Sequence, residues 1–479
     1  MLGKAMQIAS AQSIREAEQA VFARGETTSS ALMDAVVQRM AEVFAPLKPA
    51  RAVAYVGRGN NGGDAIGLAA RLGCPVLVRF PGDELRVSDE TRRQLEMCSG
   101  AGVCATAPQP MAGTLILDGL LGSGARGELS DDFAACVHEM NALREAAPRC
   151  RTLAIDMPTG LGTSVAVRAD ATAAIGCVKP EMLEDGAEDF VGRLYCIPLP
   201  EVHIPAACAD SVLEPQHPLC RLPQRPYSLY KNRAGRVAVV AGSVGYLGAA
   251  QMCVEAAVRA GAGLVALYCH ADVYPLLAAR VAPEVMVRAV HSYAEIAEPD
   301  AQCLLMGPGL GRVEGAEADA LRTLVDHFPG TVVLDADALN LAAAQGWGFH
   351  SRCILTPHPG EMHRLDPRPA APRREVVRRF LERHDCTLLL KGARTIVADR
   401  THACYNSTGG PFMANGGQGD TLSGCIAALA AQGLPPLHAA ALGAYSCGLA
   451  AERIHRRTGA PATTATQVAA ELPAALGGV

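Results

Sequence analysis

A run of small and polar residues, Asn406 to Gly424, carries one carboxylate, Asp420, and leads straight into the apolar run Cys425 to Leu434. Glycines let a backbone approach a ligand closely. A glycine-rich loop feeding a helix points free N–H groups at an anion such as phosphate. A carboxylate at that helix start would repel phosphate unless it has another task. The task that suits it is taking a proton from a hydroxyl that receives a phosphoryl group. A helix cap after a flexible turn is the plain alternative.

Three more loops carry acids in the first half of the chain. In RAVAYVGRGNNGGD the glycines Gly57, Gly59 and Gly62 satisfy a G-x-G-x-x-G pattern after the apolar strand Val53 to Val56. A second strand follows at Pro75 to Phe80, and Asp83 and Glu84 come about 20 residues after the loop, as in a Rossmann dinucleotide site. Asn60, Asn61 and Asp64 speak against the ordinary version, because Asp64 would repel a pyrophosphate. Amides and a carboxylate are better suited to hydroxyls, an amide or a cation. An Asn-Gly turn with an Asp cap is the simpler reading. The theme returns at 114–130, where Asp118 ends the strand Leu115 to Leu117 and Gly122, Gly124 and Gly127 form a loop. It returns again at 151–162, with Asp156 at a strand end and Thr159 in the turn. One such Asp is most often a turn residue. Three at the carboxyl ends of strands are what a parallel sheet uses to build a shared site.

The elements that must position these loops are strands alternating with helices. Leu32, Met33, Val36, Val37, Met40, Val43 and Phe44 follow helical spacing over 28–44, with Ser30 as cap. Residues 214–226 hold four prolines and no periodicity, and read as a boundary between domains 1–215 and 216–479. Beyond it, strands are expected at Val237–Ala241, Gly263–Cys269, Cys303–Met306, Val332–Leu334, Cys353–Leu355 and Thr387–Leu390, each ending in a polar or glycine-rich loop. The pattern implies two α/β domains with mostly parallel sheets. No Walker A pattern occurs, so kinase-like chemistry would not be of the P-loop type.

Composition narrows the function classes. Of 479 residues 49% are hydrophobic and 19% charged, as in a globular chain. Net charge is -5 and aromatics are 4%, with no long basic run, so nucleic-acid and membrane partners have little support. The 17 cysteines include no CxxC pair and fit buried thiols in a reducing cytosol better than zinc or redox motifs. The segment MLGKAMQIASAQ lacks the apolar core of a signal peptide, and a cytoplasmic location is expected.

GRGNNGGD, LDGLLGSGARGE and AIDMPTG, in that order, resemble the NAD(P)H-hydrate epimerase domain. GSVGYLGAA, GPGLG, LDADALN, TPHPGE, KGART and NGGQGD resemble the ADP-dependent NAD(P)H-hydrate dehydratase domain. Together they look like the bifunctional NAD(P)H-hydrate repair family. The resemblance implies a Rossmann-like α/β sandwich followed by a ribokinase-like α/β domain. Its implied substrate is a nicotinamide cofactor hydrated at ring carbon 6, with ADP as phosphoryl donor, and a homo-oligomer is expected. For the epimerase, the resemblance implies hydrate binding by Asn60, Asn61, Gly62, Gly63 and Asp64. The loop Gly122, Ser123, Gly124, Ala125, Arg126, Gly127 and Glu128 would hold it as well. Potassium would lie at Asn61, Asp118 and Thr159, an all-oxygen set suited to a hard cation. Asp156 would hold the nicotinamide end and move the proton. For the dehydratase, the resemblance implies hydrate binding by Ala249, Gly309, His358 and Asp420. Adenine nucleotide binding would fall to Lys391, Gly392, Ala393, Arg394, Thr395 and Gly419, with Mg2+ accompanying ADP. Asp420 would deprotonate the ring hydroxyl as it attacks the terminal phosphate of ADP, and loss of phosphate would restore the ring.

Several positions depart from the family pattern. Ala65 follows NNGGD where Gly is usual, Thr159 replaces Ser, and Tyr230 replaces the His before Lys231. Gln418 and Asn415 each stand where Thr is common, beside the expected nucleotide site. Two other classes compete with the repair reading. A ribokinase-like kinase of a thiazole or pyrimidine alcohol would have no use for the NNGGD domain. A non-catalytic NAD(P)-binding module would have no use for Asp156 and Asp420.

Overall fold

The computed structural model describes residues 6–82, 86–125, 127–205, 210–296 and 299–477. The chain divides into two units, one spanning Met6–Ala209 and the other Asp210–Val479. The proline-rich segment 214–226 lies inside the second unit, because the short strand Ser211–Leu213 before it pairs with Ala403–Asn406.

In the first unit, short apolar runs form a seven-stranded sheet that is parallel throughout. In spatial order the strands are Gly102–Cys104, Val76–Arg79, Arg51–Val56, Thr114–Gly119, Arg151–Ile155, Ala171–Ile175 and Arg193–Ile197. Strands buried on both faces read as continuous apolar runs, and Ala52 to Val56 are all fully buried. The chain order along the sheet reverses between Arg51–Val56 and Thr114–Gly119. Loops leaving two neighbouring strands in opposite directions open a crevice there, at the carboxyl ends. The helix Ser29–Phe44 packs on this layer and is capped by the side chain of Thr28, two residues ahead of the expected Ser30. Val43 does not join its buried face, being 40% exposed, so the apolar stripe is one residue narrower than its spacing suggested. The helix Asn60–Arg71 begins directly after Gly59, so Asn60, Asn61, Gly62 and Gly63 lie inside its first turn. Asp83 and Glu84 lie outside the described residues.

The second unit repeats the device. Its sheet runs Ser211–Leu213, Ala403–Asn406, Ile396–Ala398, Thr387–Leu390, Cys353–Leu355, Thr331–Leu334, Cys303–Met306, Arg236–Val240, Leu264–His270 and Val285–Val290. It is parallel from Thr387–Leu390 to Val285–Val290, while Ile396–Ala398 is antiparallel to both its neighbours. Here the order reverses between Arg236–Val240 and Cys303–Met306. The buried helix Gln418–Ala431 lies against Leu247–Arg259. A Cβ at Gly424 would fall 2.0 Å from the Cys253 carbonyl oxygen, so only glycine permits this approach. The described cysteines are free thiols, most of them buried. Among the described residues no helix is long and apolar enough to cross a membrane.

Candidate active sites

The first crevice gathers the acids of three loops. Asp118 ends its strand fully buried. The Thr159 hydroxyl donates to its Oδ1 at 2.7 Å and the Thr159 N–H to its Oδ2 at 2.7 Å, while Leu120 N–H reaches Oδ1 at 3.3 Å. Burial pushes the Asp118 carboxyl up to about 6 against these bonds. Among the described residues no cationic side chain pairs with it. Asn61 and Asp156 meet at Gly122, where a Cβ would lie 3.4 Å from the Asn61 Cγ and 3.1 Å from Asp156 Oδ2.

Asp156 holds a positive φ of 67°, a strained conformation for a non-glycine residue. Its Oδ2 accepts the Ser123 N–H at 2.9 Å, and its Oδ1 accepts the Lys179 ammonium. Lys179 has no exposed surface and also donates to the Ile175 carbonyl at 3.1 Å and the Cys177 carbonyl at 3.3 Å. Burial alone would raise the Asp156 carboxyl. The Lys179 charge and bond, with the Ser123 bonds, outweigh it and hold Asp156 below the usual carboxylate range. Glu18 on the helix Ala11–Ala23 faces the same pair, and burial followed by the Asp156 charge raises its carboxyl.

The other expected epimerase residues divide. Asp64 faces the crevice and is treated below. Gly62 and Gly63 serve packing: Cβ atoms there would strike the Val56 Cγ1 at 2.7 Å and the Met33 Cε at 2.7 Å. Asn60 is exposed and donates to the Ser29 hydroxyl at 3.3 Å. Gly124 lies beside the Arg15 guanidinium, and Ala125 closes a turn onto the Gly122 carbonyl at 3.2 Å. Gly127 takes φ 79°, and Glu128 accepts from the Ser164 hydroxyl at 2.7 Å. Arg126 lies outside the described residues.

The second crevice centres on Lys391, at the end of Thr387–Leu390. Its ammonium donates to Asp335 Oδ1 at 2.8 Å and lies 3.7 Å from Glu361 Oε2. Burial would lower this ammonium's pKa, but Asp335 and Glu361 together raise it. Gly419 closes the group, because a Cβ there would lie 3.4 Å from the Lys391 Nζ. Asp420 follows in the first turn of Gln418–Ala431. Burial, then the Asp335 charge, pushes its carboxyl up to about 7, with Lys391 opposing. Asp420 makes no cap hydrogen bond, and the N-cap position belongs to Gly417 at φ 90°. Between Asp335 and Asp337, Ala336 takes φ 49°, which sends the two carboxylates different ways. Asp335 meets Lys391, and Asp337 accepts the Gly311 N–H at 2.8 Å.

Gly309 and Ala249 come together across the strand-order reversal. With φ 57° at Gly309, a Cβ would fall 2.5 Å from the Tyr246 carbonyl oxygen and 3.0 Å from the Ala249 Cβ. A cavity of about 490 Å3 opens beside them, lined by Ser243, Tyr246, His270, Leu310 and Arg312 among others. His358 caps the helix Pro359–Leu365, its Nδ1 accepting Gly360 N–H at 3.0 Å and its Nε2 lying 3.4 Å from Glu361 Oε1. Past Lys391, Gly392 and Arg394 take positive φ, Ala393 accepts from Arg373 at 2.7 Å, and Thr395 closes onto Gly392 at 2.9 Å. The two departures at the nucleotide loop bond to each other. Gln418 donates to Asn415 at 3.1 Å, and both donate to the Thr463 carbonyl at 2.8 Å.

Sequence reasoning assigned no role to Lys179, Glu18, Asp335, Asp337 or Glu361. Asp335, Asp337 and Glu361 sat in quoted motifs without a task. The signal for Lys179 was a single lysine after an apolar strand.

Comparison with known proteins matches both halves. The family model described as NAD(P)H-hydrate dehydratase matches residues 237–474, and that described as YjeF-related protein N-terminus matches residues 26–181. The bifunctional NAD(P)H-hydrate repair enzyme Nnr of Moorella thermoacetica is 33% identical over 88% of this chain and 87% of its own length. The enzyme of the same name from Escherichia coli is 34% identical over 86% of this chain and 82% of its own. Among solved structures, a ribokinase-like superfamily protein of Enterococcus faecalis is 27% identical, with a TM-score of 0.51. It covers 56% of this chain and 96% of its own. The second unit therefore has a ribokinase-like fold, and the chain belongs to the family of bifunctional NAD(P)H-hydrate repair enzymes.

Proposed function

We propose that this chain repairs hydrated nicotinamide cofactors, its first unit interconverting the R and S hydrates and its second dehydrating the S hydrate at the expense of ADP. The observation that carries this reading is the pair of crevices with opposite electrostatic designs. In the first a buried lysine keeps Asp156 ionised. In the second an acid-rich group around one lysine leaves Asp420 with an affinity for protons near neutrality. A base that must accept a proton from an alcohol at pH 7 works best with such a value.

In the second unit, Lys391 and the N–H groups opening Gln418–Ala431 suit the ADP phosphates. Asp420 takes the proton of the C6 hydroxyl as that oxygen attacks the terminal phosphorus and AMP leaves. The phosphate then departs from C6 and a proton from C5, so that hydrate and ADP become NAD(P)H, AMP and phosphate. Mg2+ would enter with ADP, carried on the nucleotide's phosphates. When bound, Mg2+ neutralises charge on the transferred group. Incubating the protein with mixed epimers of NADH hydrate and ADP should restore NADH absorbance from the whole mixture. Recovery of none of it would sink the reading; recovery of the S fraction alone would sink its epimerase half.

Potassium fits the first crevice. Among the described residues Asp118 is a buried acid with no cationic partner, and the Asn61 amide nitrogen is buried with no hydrogen-bond partner. Amide nitrogen and oxygen exchange places by a simple flip. The flipped Asn61, Asp118 and Thr159 would hold the ion through oxygens, and the ion would offset the buried charge. Asp118 has a raised folded-state pKa, so the folded protein binds more protons than the unfolded chain. Without potassium, stability should fall as pH rises from about 4 through about 6. Potassium should reverse much of that fall, and Asp118→Asn should abolish both effects. Thermal unfolding across this pH range, with potassium and with a bulky organic cation, checks it. Identical curves in the two salts would remove potassium from the site.

The two units should work apart. A fragment beginning at Asp210 keeps the strand Ser211–Leu213 and should dehydrate the S epimer at the full-length rate. One beginning at Gln224 exposes the edge strand Ala403–Asn406 and should aggregate more readily. Light scattering and activity of the two fragments test this; a sound Gln224 fragment would make that strand dispensable.

A further inference from the structure

We propose that Asp64 is the second proton carrier of the epimerase crevice, working on the opposite face of the nicotinamide ring from Asp156. The inference rests on the epimerase reading above. It begins with an accounting of buried polar atoms. Among the described residues the Asp64 Oδ1 is buried and has no hydrogen-bond partner, on the fifth residue of its helix, too far along to cap the N-terminus. No side chain caps that helix, which starts after Gly59. Asn61 and Asp64 stand three residues apart in it and share one face. That face looks toward Gly122, where Asn61 and Asp156 meet.

Two charged groups act on Asp64: Asp156, which follows the strand Arg151–Ile155, and Glu18 on Ala11–Ala23. Glu18 in turn faces Lys179, which follows Ala171–Ile175, and Arg15 on its own helix. Lys179 is bonded to Asp156 and not to Asp64. The Arg15 guanidinium is turned to the Ser123 carbonyl at 3.5 Å. The two carboxyls thus sit in opposite surroundings within reach of each other's charge. Burial and then the Asp156 and Glu18 charges raise the Asp64 carboxyl well above the ordinary range, whereas Asp156 lies below it. A pair whose environments pull it apart in this way divides into an acid and a base.

The chemistry needs both. At C6 of the hydrate, the hydroxyl and ring nitrogen N1 share one carbon. Asp64 gives its proton to the hydroxyl oxygen. The C6–O bond breaks with its electron pair leaving on water, and the N1 lone pair forms an N1=C6 double bond. A water on the other face then attacks C6 through oxygen. The N1=C6 pair returns to N1, and the proton released passes to Asp156. The reverse inversion uses Asp156 as donor and Asp64 as acceptor. One water leaves and one enters, no electrons are transferred, and the single proton stays on the pair.

Asp64→Asn preserves size and hydrogen bonding but cannot pass a proton. In the full chain it should lower the epimerisation rate at saturating hydrate by about 10²–10⁴, the usual worth of a positioned acid or base. The dissociation constant of the hydrate should change little, and dehydration of pure S epimer should be unaffected. A residue that only grips the substrate would show the reverse split, with weakened binding and a normal saturated rate, and that outcome overturns the proposal. Oxygen-18 water gives a test on the unmodified protein. Every inversion should bring one solvent oxygen to C6, above the uncatalysed background. Inversion that keeps the original oxygen would mean ring opening and closing instead, and would overturn the proposal even if the variant failed to fold. An unmodified protein that does not epimerise at all would sink the functional reading rather than the role of Asp64.

Discussion

Asp420→Asn should lower dehydration of the S hydrate by about 10²–10⁴, leave epimerisation untouched, and bind ADP at least as tightly as the unaltered chain. Asparagine keeps the size of the side chain and loses its basicity. Nucleotide affinity should survive because Lys391 and the backbone N–H groups of the loop carry it. It should even rise, since a negative charge beside phosphate is removed. A capping role for Asp420 would predict a nearly full rate, because Asn caps about as well as Asp. The structure weakens that alternative: Gly417 holds the N-cap position, and no side chain there accepts a capping bond. The pH dependence sharpens the test. With the carboxyl pushed up to about 7, kcat/KM for dehydration should rise about tenfold per pH unit below 7 and level off above it. The variant's residual rate should lose that rise. Both rates and the ADP dissociation constant on one preparation decide the matter. Near-normal dehydration would leave Asp420 structural and turn the search for the base to Asp335 and Glu361.

The parts of this molecule that could be read from its sequence are those whose signals are local. The strands Cys303–Met306, Cys353–Leu355 and Thr387–Leu390 have the expected bounds, because each is an apolar run cut by a polar loop. Asp118 and Asp156 were legible as acids at the ends of such runs, and Asp420 as the one carboxylate of a small-residue loop ahead of an apolar helix. What escaped is what long-range packing decides. Ser211–Leu213 is three residues long and becomes a strand only by meeting Ala403–Asn406, far away in sequence. Ala171–Ile175 is rich in alanine, a poor strand former, and its place in the sheet comes from its neighbours. Lys179, a lysine ahead of a proline, carries no local signal of burial. Its burial follows from the chain turning inward after that strand, and its partner, Asp156, is set by a backbone conformation that no residue pattern announces. The Gln418 and Asn415 departures looked like two independent changes and are one hydrogen-bonded unit.

Lys179→Met should disable the first unit more thoroughly than any change in the glycine loops. Lysine and methionine are close in length, so the side chain's path through the core can be kept. The charge that holds Asp156 ionised disappears. Removing one partner of a buried pair typically costs about 3–5 kcal/mol, because the other charge is left without compensation. Asp156 can escape part of this by taking up a proton, and the sign of the pH dependence follows. In the unaltered chain Asp156 has a depressed folded-state pKa, so its contribution to stability is present above the unfolded value of about 4 and is lost as pH falls through the folded one. In the variant only the Ser123 bonds still oppose burial, so that pKa rises, the folded state gains protons, and stability should increase as pH falls from 7 toward 5. Epimerisation should fall by about 10²–10⁴ at neutral pH, since a protonated Asp156 cannot accept the proton it must take. Dehydration by the second unit should persist. Thermal unfolding of the first unit's transition at pH 5 and pH 7, together with both rates, tests the whole argument. A variant that epimerises normally, or whose stability follows the same pH trend as the unaltered chain, would show that Asp156 does not depend on Lys179 for its charge.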